Sequence, residues 1–104
     1  MKNIVLICGA GMSSSLLVLK MRTAAEKLGY ECEINAYPVV DAVKMGETAD
    51  VLLMGPQIRF EFKKVAAQLK CPAEVIEMRD YGTMNGEAVL KRAIELIEGA
   101  TPKK

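Results

Sequence analysis

Two short runs of consecutive apolar residues stand out along the chain. The first lies within Lys2 to Ile7 and the second within Asp50 to Met54. Short runs that are apolar at every position are typical of strands buried on both faces of a parallel sheet. We therefore predict two central strands, which are the first and the third in chain order.

Two further segments have the character of strands at the edge of a sheet. From Tyr30 to Tyr37, apolar and polar residues alternate, which places Cys32 on the apolar side as a small core residue. The segment from Ala73 to Met78 is interrupted by glutamates. Interrupted or alternating patterns indicate strands with an exposed face. We therefore place the second and fourth strands at the two edges.

Segments with helical spacing separate the predicted strands. Ser13 or Ser14 is predicted to cap the first helix, Pro38 to open a short second helix that Gly46 ends, and Asn85 to cap the last helix. The segment 79–84 is predicted to be a loop. The short second helix is predicted over Val39, Val40 and Val43. The predicted inner faces of the other helices are Leu17, Met21, Ala24, Ala25 and Leu28 in the first, Ile58, Phe62, Val65, Ala66 and Leu69 in the third, and Val89, Ala93, Leu96 and Ile97 in the fourth.

The alternation of four strands with four helices predicts an α/β fold. We expect an open four-stranded parallel sheet in the strand order 2-1-3-4, with helices on both faces. In such sheets ligands bind beyond the carboxyl ends of the strands, where the strand order reverses. Here that place lies between strands 1 and 3, where Cys8 and Gly55-Pro56-Gln57 are found.

Composition narrows the class of protein. A chain of 104 residues that is 51% hydrophobic suffices for one domain, which we place at residues 1–100, with a disordered tail at 101–104. A net charge of +1 argues against nucleic acid as the main partner. Three cysteines without metal-like spacing indicate a reducing cytosol. The absence of histidine argues against a zinc site and rules out a Cys–His pair within the chain.

The stretch that follows the first strand carries the candidate chemistry. Cys8 ends the apolar run, and Gly9-Ala10-Gly11-Met12-Ser13-Ser14-Ser15 leads into the first helix. A tight loop at a helix start directs several backbone N–H groups at one point, and the helix dipole adds positive potential there. Such a field favours a thiolate and also binds a phosphate. The stretch therefore predicts a cysteine that handles phosphate.

Loops of this kind have other functions in other classes of protein, and the residues present fit these functions to different degrees. A dinucleotide-binding loop requires a third glycine where Ser14 stands, and a Walker loop requires a Gly-Lys-Ser/Thr that the chain lacks. A low-molecular-weight cysteine phosphatase has an arginine at the position of Ser14, which would grip the phosphate and stabilise the transition state. Asp80 beside Tyr81 is reminiscent of the acid such an enzyme uses. The phosphatase stays open as the alternative, and a binding module with a structural cysteine as a third class.

Residues 8–15 together with Met54-Gly55-Pro56-Gln57-Ile58 resemble the enzyme IIB component of the bacterial sugar phosphotransferase system, lactose/cellobiose (diacetylchitobiose) family. The similarity extends from the first strand to the last helix, and Tyr81-Gly82 adds to it. The resemblance implies that Cys8 is the phosphorylated nucleophile. It also implies that Gly9, Ala10, Gly11, Met12, Ser13, Ser14 and Ser15 bind the phosphoryl group.

The resemblance further implies the partners. A phosphohistidine on a IIA protein would donate to Cys8, and the membrane component IIC would present the sugar that accepts the group. Gln57 and Tyr81 are candidates for the rim that meets these partners, with loop packing as the other explanation. We expect no metal or other cofactor and a monomer when the protein is alone. The expected location is the cytoplasm, peripherally at the membrane permease.

Overall fold

A parallel sheet with the strand order β2-β1-β3-β4 forms the centre of the molecule. The computed structural model describes residues 1–8 and 12–99, with the side chains of 1–8 and 15–99. The strands in this part of the chain are β1 (Lys2–Cys8), β2 (Cys32–Pro38), β3 (Val51–Met54) and β4 (Ala73–Val75). The predicted fold class and strand order are confirmed. The tail predicted at 101–104 lies outside the described residues.

The helices connect the strands as predicted, but their bounds differ in several places. They are α1 (Met12–Leu28), α2 (Ala42–Gly46), α3 (Phe62–Ala66), α4 (Met78–Gly82) and α5 (Gly86–Glu98). Turns of 3-10 helix precede α2 at Val39–Asp41 and α3 at Pro56–Glu61, with a kink at Ile58. The predicted second and third helices are therefore each a 3-10 turn continued by a short α-helix.

The prediction of a loop over residues 79–84 is wrong. Residues Met78–Gly82 form α4, because β4 ends at Val75 and leaves the chain free to coil earlier than the pattern predicts. The backbone N–H of Tyr81 donates to the carbonyl of Glu77 at 2.9 Å, and the Thr83 hydroxyl donates to the Arg79 carbonyl at 2.8 Å. The segment is too short to show helical periodicity in the sequence.

The two faces of the sheet carry separate apolar cores. Since successive side chains of a strand point to opposite faces, the continuous apolar runs of β1 and β3 supply both cores. One core lies against α1, α4 and α5, and the other lies against α2 and α3. The buried members of the first include Ile4, Leu6, Leu17, Met21, Ile34, Leu53, Tyr81 and Leu90, and those of the second are Val5, Ile7, Ala42, Leu52, Met54 and Val65.

The inner face of α1 is slightly rotated from the predicted one. Leu17, Met21, Ala24 and Ala25 are buried as predicted, and Val18 is buried with them. Leu28 is 51% exposed, so its predicted place in the core is wrong. It ends the helix and lines a surface groove between α1 and the start of α5 rather than the core.

The start of α5 fixes the distance between the two long helices. Asn85 caps α5 as predicted, because its side-chain oxygen accepts a hydrogen bond from the N–H of Ala88 at 3.1 Å. Gly86 follows directly. A Cβ atom on Gly86 would lie 2.5 Å from the backbone carbon of Lys20 in α1, so only glycine permits this approach. No helix in the described part of the chain has the length and apolar character of a membrane span.

Candidate functional site

Cys8 is the last residue of β1, at the carboxyl edge of the sheet. The strand β1 pairs with β2 on one side, where Cys8 is opposite Pro38, and with β3 on the other. The Cys8 side chain is 4% exposed, and its Sγ atom lies 4.0 Å from the carbonyl oxygen of Tyr37. A thiol in this position lies where the strand order reverses, which is the usual place for a ligand in an open α/β sheet.

The start of α1 follows Cys8 after a short connection. Residues 9–11, predicted to bind a phosphoryl group, lie outside the described residues. The helix begins at Met12. Ser13 and Ser14 are therefore inside the first turn, and the prediction that one of them is the cap is wrong, because the helix starts at least two residues earlier than either cap requires. The first turn contains no acidic residue, so the positive end of the helix dipole is not offset there.

The loop after β3 lies beside the end of β1. The N–H of Gly55 donates to the carbonyl oxygen of Ile7 at 2.8 Å, which extends the pairing of the two strands by one residue. Gly55 has φ −64° and ψ 145°, values open to any residue. Pro56 is buried, whereas Gln57 is exposed. The side chain of Gln57 nevertheless turns back over Gly55.

Three groups surround the point where a Cβ atom on Gly55 would lie. The side-chain oxygen of Gln57 is 3.2 Å from that point, the carbonyl oxygen of Ile7 is 3.5 Å from it, and Cε1 of Tyr81 is 3.8 Å from it. Contacts of 3.0–3.4 Å are tighter than a side-chain methyl normally makes, whereas the other two are ordinary. The lack of a side chain on Gly55 therefore gives room to the Gln57 carboxamide.

Gln57 and Tyr81, the two candidates for a partner-binding rim, are thus close together in the fold. They differ in exposure, because Gln57 is open to solvent whereas Tyr81 is 6% exposed and belongs to the core. Tyr81 is held by α4, which follows β4 at the same edge of the sheet. The role of either residue at a rim stays a prediction, and the buried position of Tyr81 favours packing for its ring.

The other two cysteines lie away from Cys8. Cys32 begins β2 and is opposite Lys2, at the amino edge of the sheet. Cys71 lies in the turn before β4 and packs against the second core. Burial raises the pKa of both thiols above its ordinary value. Both therefore have the surroundings of structural residues, in agreement with the predictions for them.

The sequence pattern did not reveal one further feature of this edge, a group of exposed apolar side chains. Val40, Phe60 and Met78 follow β2, β3 and β4, and are 84%, 77% and 61% exposed; Leu16 in α1, after β1, is 47% exposed. We call these four residues the apolar rim. Their signal in the sequence is weak, because Val40, Phe60 and Met78 stand in short helical segments and Leu16 stands beside the buried Leu17.

The comparison with protein families decides the class of this chain. The family model described as "PTS system, Lactose/Cellobiose specific IIB subunit" matches residues 3–92. The chain belongs to this family. The resemblance predicted from Cys8 to Ser15 and from Met54 to Ile58 is thereby confirmed. IIB components of the phosphotransferase system are sugar phosphotransferases that work with IIA and IIC components, and the phosphatase alternative is not favoured.

Relatives of known specificity match this IIB component over nearly its whole length. It is 41% identical to the oligo-beta-mannoside-specific EIIB component of Bacillus subtilis, over 93% of this chain and 97% of that one. It is 44% identical to both the galactose-specific and the cellobiose-specific EIIB components of Lactococcus lactis, in each case over 92% of this chain and 96% of the relative.

Solved structures agree with the fold. The solution structure of the cellobiose-specific IIB component from Borrelia burgdorferi is 39% identical, with a TM-score of 0.80 over 94% of this chain and 93% of that one. The lactose-specific IIB domain from Streptococcus pneumoniae gives a TM-score of 0.76 at 16% identity, over 90% of this chain and 95% of that one. The second likeness concerns the fold alone.

Proposed function

We propose that this IIB component is a phosphoryl carrier in which Cys8 accepts a phosphoryl group from a phosphohistidine of IIA. Cys8 then passes the group to a sugar bound by the membrane component IIC. The observation that carries the proposal is the position of Cys8 at the carboxyl end of a central strand, four residues before the start of a helix whose first turn has no acid. Backbone N–H groups of residues 9–15 are the proposed ligands of the phosphoryl group.

The two steps exchange one bond to phosphorus for another. In the first, the Cys8 thiolate attacks phosphorus, the S–P bond forms, and the N–P bond of the donor histidine breaks. In the second, a sugar hydroxyl attacks, the O–P bond forms, the S–P bond breaks, and the hydroxyl proton passes to a base. Transfers of this kind depend mainly on alignment and on charge stabilisation.

The burial of Cys8 constrains how partners approach it. Because the thiol side chain is 4% exposed, a donor imidazole reaches it only if the partner's surface comes close to the surrounding edge of the sheet. We propose that IIA and IIC use this edge in turn, with the apolar rim as part of the contact. The protein would then work in the cytoplasm, peripherally at the permease, in brief encounters of modest area.

The class of sugar is inferred from the specificities of the relatives and not from the geometry of the site. The relatives carry specificities for oligo-β-mannosides, galactose and cellobiose, so homologous chains serve different sugars. We propose a cellobiose-, lactose- or chitobiose-type sugar for this chain, selected by the membrane component.

The test is the intact mass of the protein after incubation with phosphoenolpyruvate, the general phosphotransferase proteins and a cognate IIA. We expect one added phosphoryl group in the wild type and in the Cys32→Ser and Cys71→Ser controls. We expect none in Cys8→Ser, and none when IIA is omitted. A folded wild type that stays unmodified with every IIA tried would refute the proposal. Appreciable turnover of an aryl phosphate would instead point to a phosphatase.

A further inference from the structure

The side chain of Gln57 is placed unusually for an exposed residue. Although the residue is open to solvent, its side chain turns back over Gly55, with its oxygen 3.2 Å from the point where a Gly55 Cβ would lie. The carbonyl oxygen of Ile7, the residue before Cys8, is 3.5 Å from that same point. The carboxamide thus lies at the carboxyl edge of the sheet, where β1 and β3 end together.

We propose that the Gln57 carboxamide is a ligand of the phosphoryl group that Cys8 carries, in addition to the backbone N–H groups of the loop. This inference rests on the proposed function. A carboxamide offers two N–H donors, and a hydrogen bond from it to a phosphoryl oxygen is strengthened by the charge of that oxygen. Being neutral, it stabilises the group without the strong hold that an arginine exerts.

The surroundings of Gln57 support a preorganised ligand. Gly55 is tied to β1 by its hydrogen bond to Ile7 at 2.8 Å, and Pro56 is buried beside it, so the backbone under the carboxamide is fixed. The buried ring of Tyr81 lies near the same position, with Cε1 3.8 Å from the Gly55 Cβ point. A side chain held in place before the ligand arrives loses less conformational entropy on binding.

The proposal also explains why residue 55 is a glycine. Since its φ of −64° requires no glycine, the reason for a glycine here is space, and the closest group in that space is the Gln57 carboxamide. An alanine at position 55 would push the carboxamide aside by a few tenths of an ångström. The ordinary contacts to Ile7 and Tyr81 would remain.

The test measures the equilibrium of phosphoryl exchange between IIA and this protein, at concentrations low enough that the two do not stay associated. Under these conditions the equilibrium constant depends on the stability of phosphocysteine and not on contacts between the proteins. We expect Gln57→Ala to shift it towards phosphorylated IIA by about tenfold, because a hydrogen bond to a charged group is lost. Gln57→Glu should shift it further, since its charge repels the phosphoryl group.

Two controls make the result specific. Gln68→Ala removes another exposed glutamine, which donates to the Lys64 carbonyl in the third helical segment, and should leave the equilibrium constant unchanged. Gly55→Ala should cause a smaller shift than Gln57→Ala and should add nothing in the Gln57→Ala background. The phosphorus-31 chemical shift of the isolated phosphoprotein should move in both Gln57 variants.

The failure of this inference differs from the failure of the proposed function. If the wild type takes up no phosphoryl group, the proposed function fails. If the wild type is phosphorylated but the Gln57 variants keep its equilibrium constant and its chemical shift, this inference alone is overturned. A raised KM for IIA with an unchanged equilibrium constant would also overturn it, because Gln57 would then contact the partner instead.

Discussion

The three cysteines of the chain have different surroundings. Cys8 ends a central strand at the carboxyl edge of the sheet, whereas Cys32 begins an edge strand at the opposite edge. Cys71 precedes β4 and packs on the second core. Desolvation is the largest cause of the raised pKa of Cys32 and of Cys71, and the nearby charge of Asp50 adds to it for Cys71. Burial thus disfavours the thiolate at both structural positions.

We expect the raised pKa of Cys32 and of Cys71 to slow the reaction of these two thiols with an alkylating reagent. In a Cys8→Ser variant at pH 7.5, Cys32 and Cys71 should react with iodoacetamide more slowly than cysteines of the urea-unfolded chain, because only the thiolate reacts. Their rates should rise as the pH passes the raised pKa values. The measurement is the modified mass against time from pH 7 to 10. Equal rates in the folded and unfolded chains would contradict the prediction.

The same pKa directions predict how stability changes with pH. A thiol whose pKa is higher in the folded than in the unfolded state contributes stability below the unfolded pKa, near 9.0, and this contribution is lost as the pH rises through the folded value. Tyr30, whose pKa burial and Glu98 raise above 10.0, acts in the same direction. We therefore expect the urea midpoint to fall above pH 9. A Cys32→Ala, Cys71→Ala double variant should show a weaker fall, and an identical pH profile would contradict the assignment.

At the scale of elements, the packing of α1 against α5 depends on a single missing side chain. The Cβ of an alanine at position 86 would lie 2.5 Å from the backbone of Lys20 and 2.6 Å from the backbone nitrogen of Met21. Backbone atoms cannot move aside as a flexible side chain can, so the two helices would have to separate. The apolar side chains between them, including Leu17, Met21 and Leu90, would then lose contact with the sheet.

We expect Gly86→Ala to lower the free energy of unfolding by about 1–3 kcal/mol, the usual cost of forcing extra volume into a packed region. The matched control is Gly82→Ala in α4, where a Cβ would meet nothing within 4 Å. That control should be neutral or slightly stabilising, since alanine restricts the unfolded chain. Urea unfolding followed by circular dichroism measures both. A stable Gly86→Ala variant would contradict the close approach.

The elements also show which features the sequence could predict. The strand order follows from two continuous apolar runs and two interrupted ones, and the cap of α5 follows from Asn85. Short segments were harder to predict. The helix that holds Tyr81 spans 5 residues, too few for a periodic pattern, and Leu28 has the right spacing for the core but lies at the end of its helix. The Gln57 carboxamide lies over Gly55, and Gly55 is tied to β1 by its hydrogen bond to Ile7, a contact between residues far apart in the sequence that no local pattern contains.

At the scale of the whole molecule, four of the seven large apolar side chains that are exposed in the described part of the chain form the apolar rim; the other three are Met1, Leu19 and Leu28. All four members of the apolar rim follow the carboxyl ends of strands, which is the edge that contains Cys8. Exposed apolar side chains at the same edge of a sheet as a buried reactive residue favour a surface that contacts another protein. This grouping agrees with a carrier that must bring its cysteine close to two different proteins in turn.

We expect Phe60→Asp to raise the KM for phosphorylated IIA by about tenfold, because apolar residues near the centre of an interface carry much of its binding energy. The phosphoryl-exchange equilibrium should not change, since Phe60 is assigned no contact with the phosphoryl group. The control is Leu28→Asp, a similarly exposed apolar residue at the far end of α1, which should leave KM unchanged. Phosphoryl transfer rates against IIA concentration provide the measurement. If Phe60→Asp and Leu28→Asp had equal effects, the change would be due to net charge, and the apolar rim would have no special part in docking.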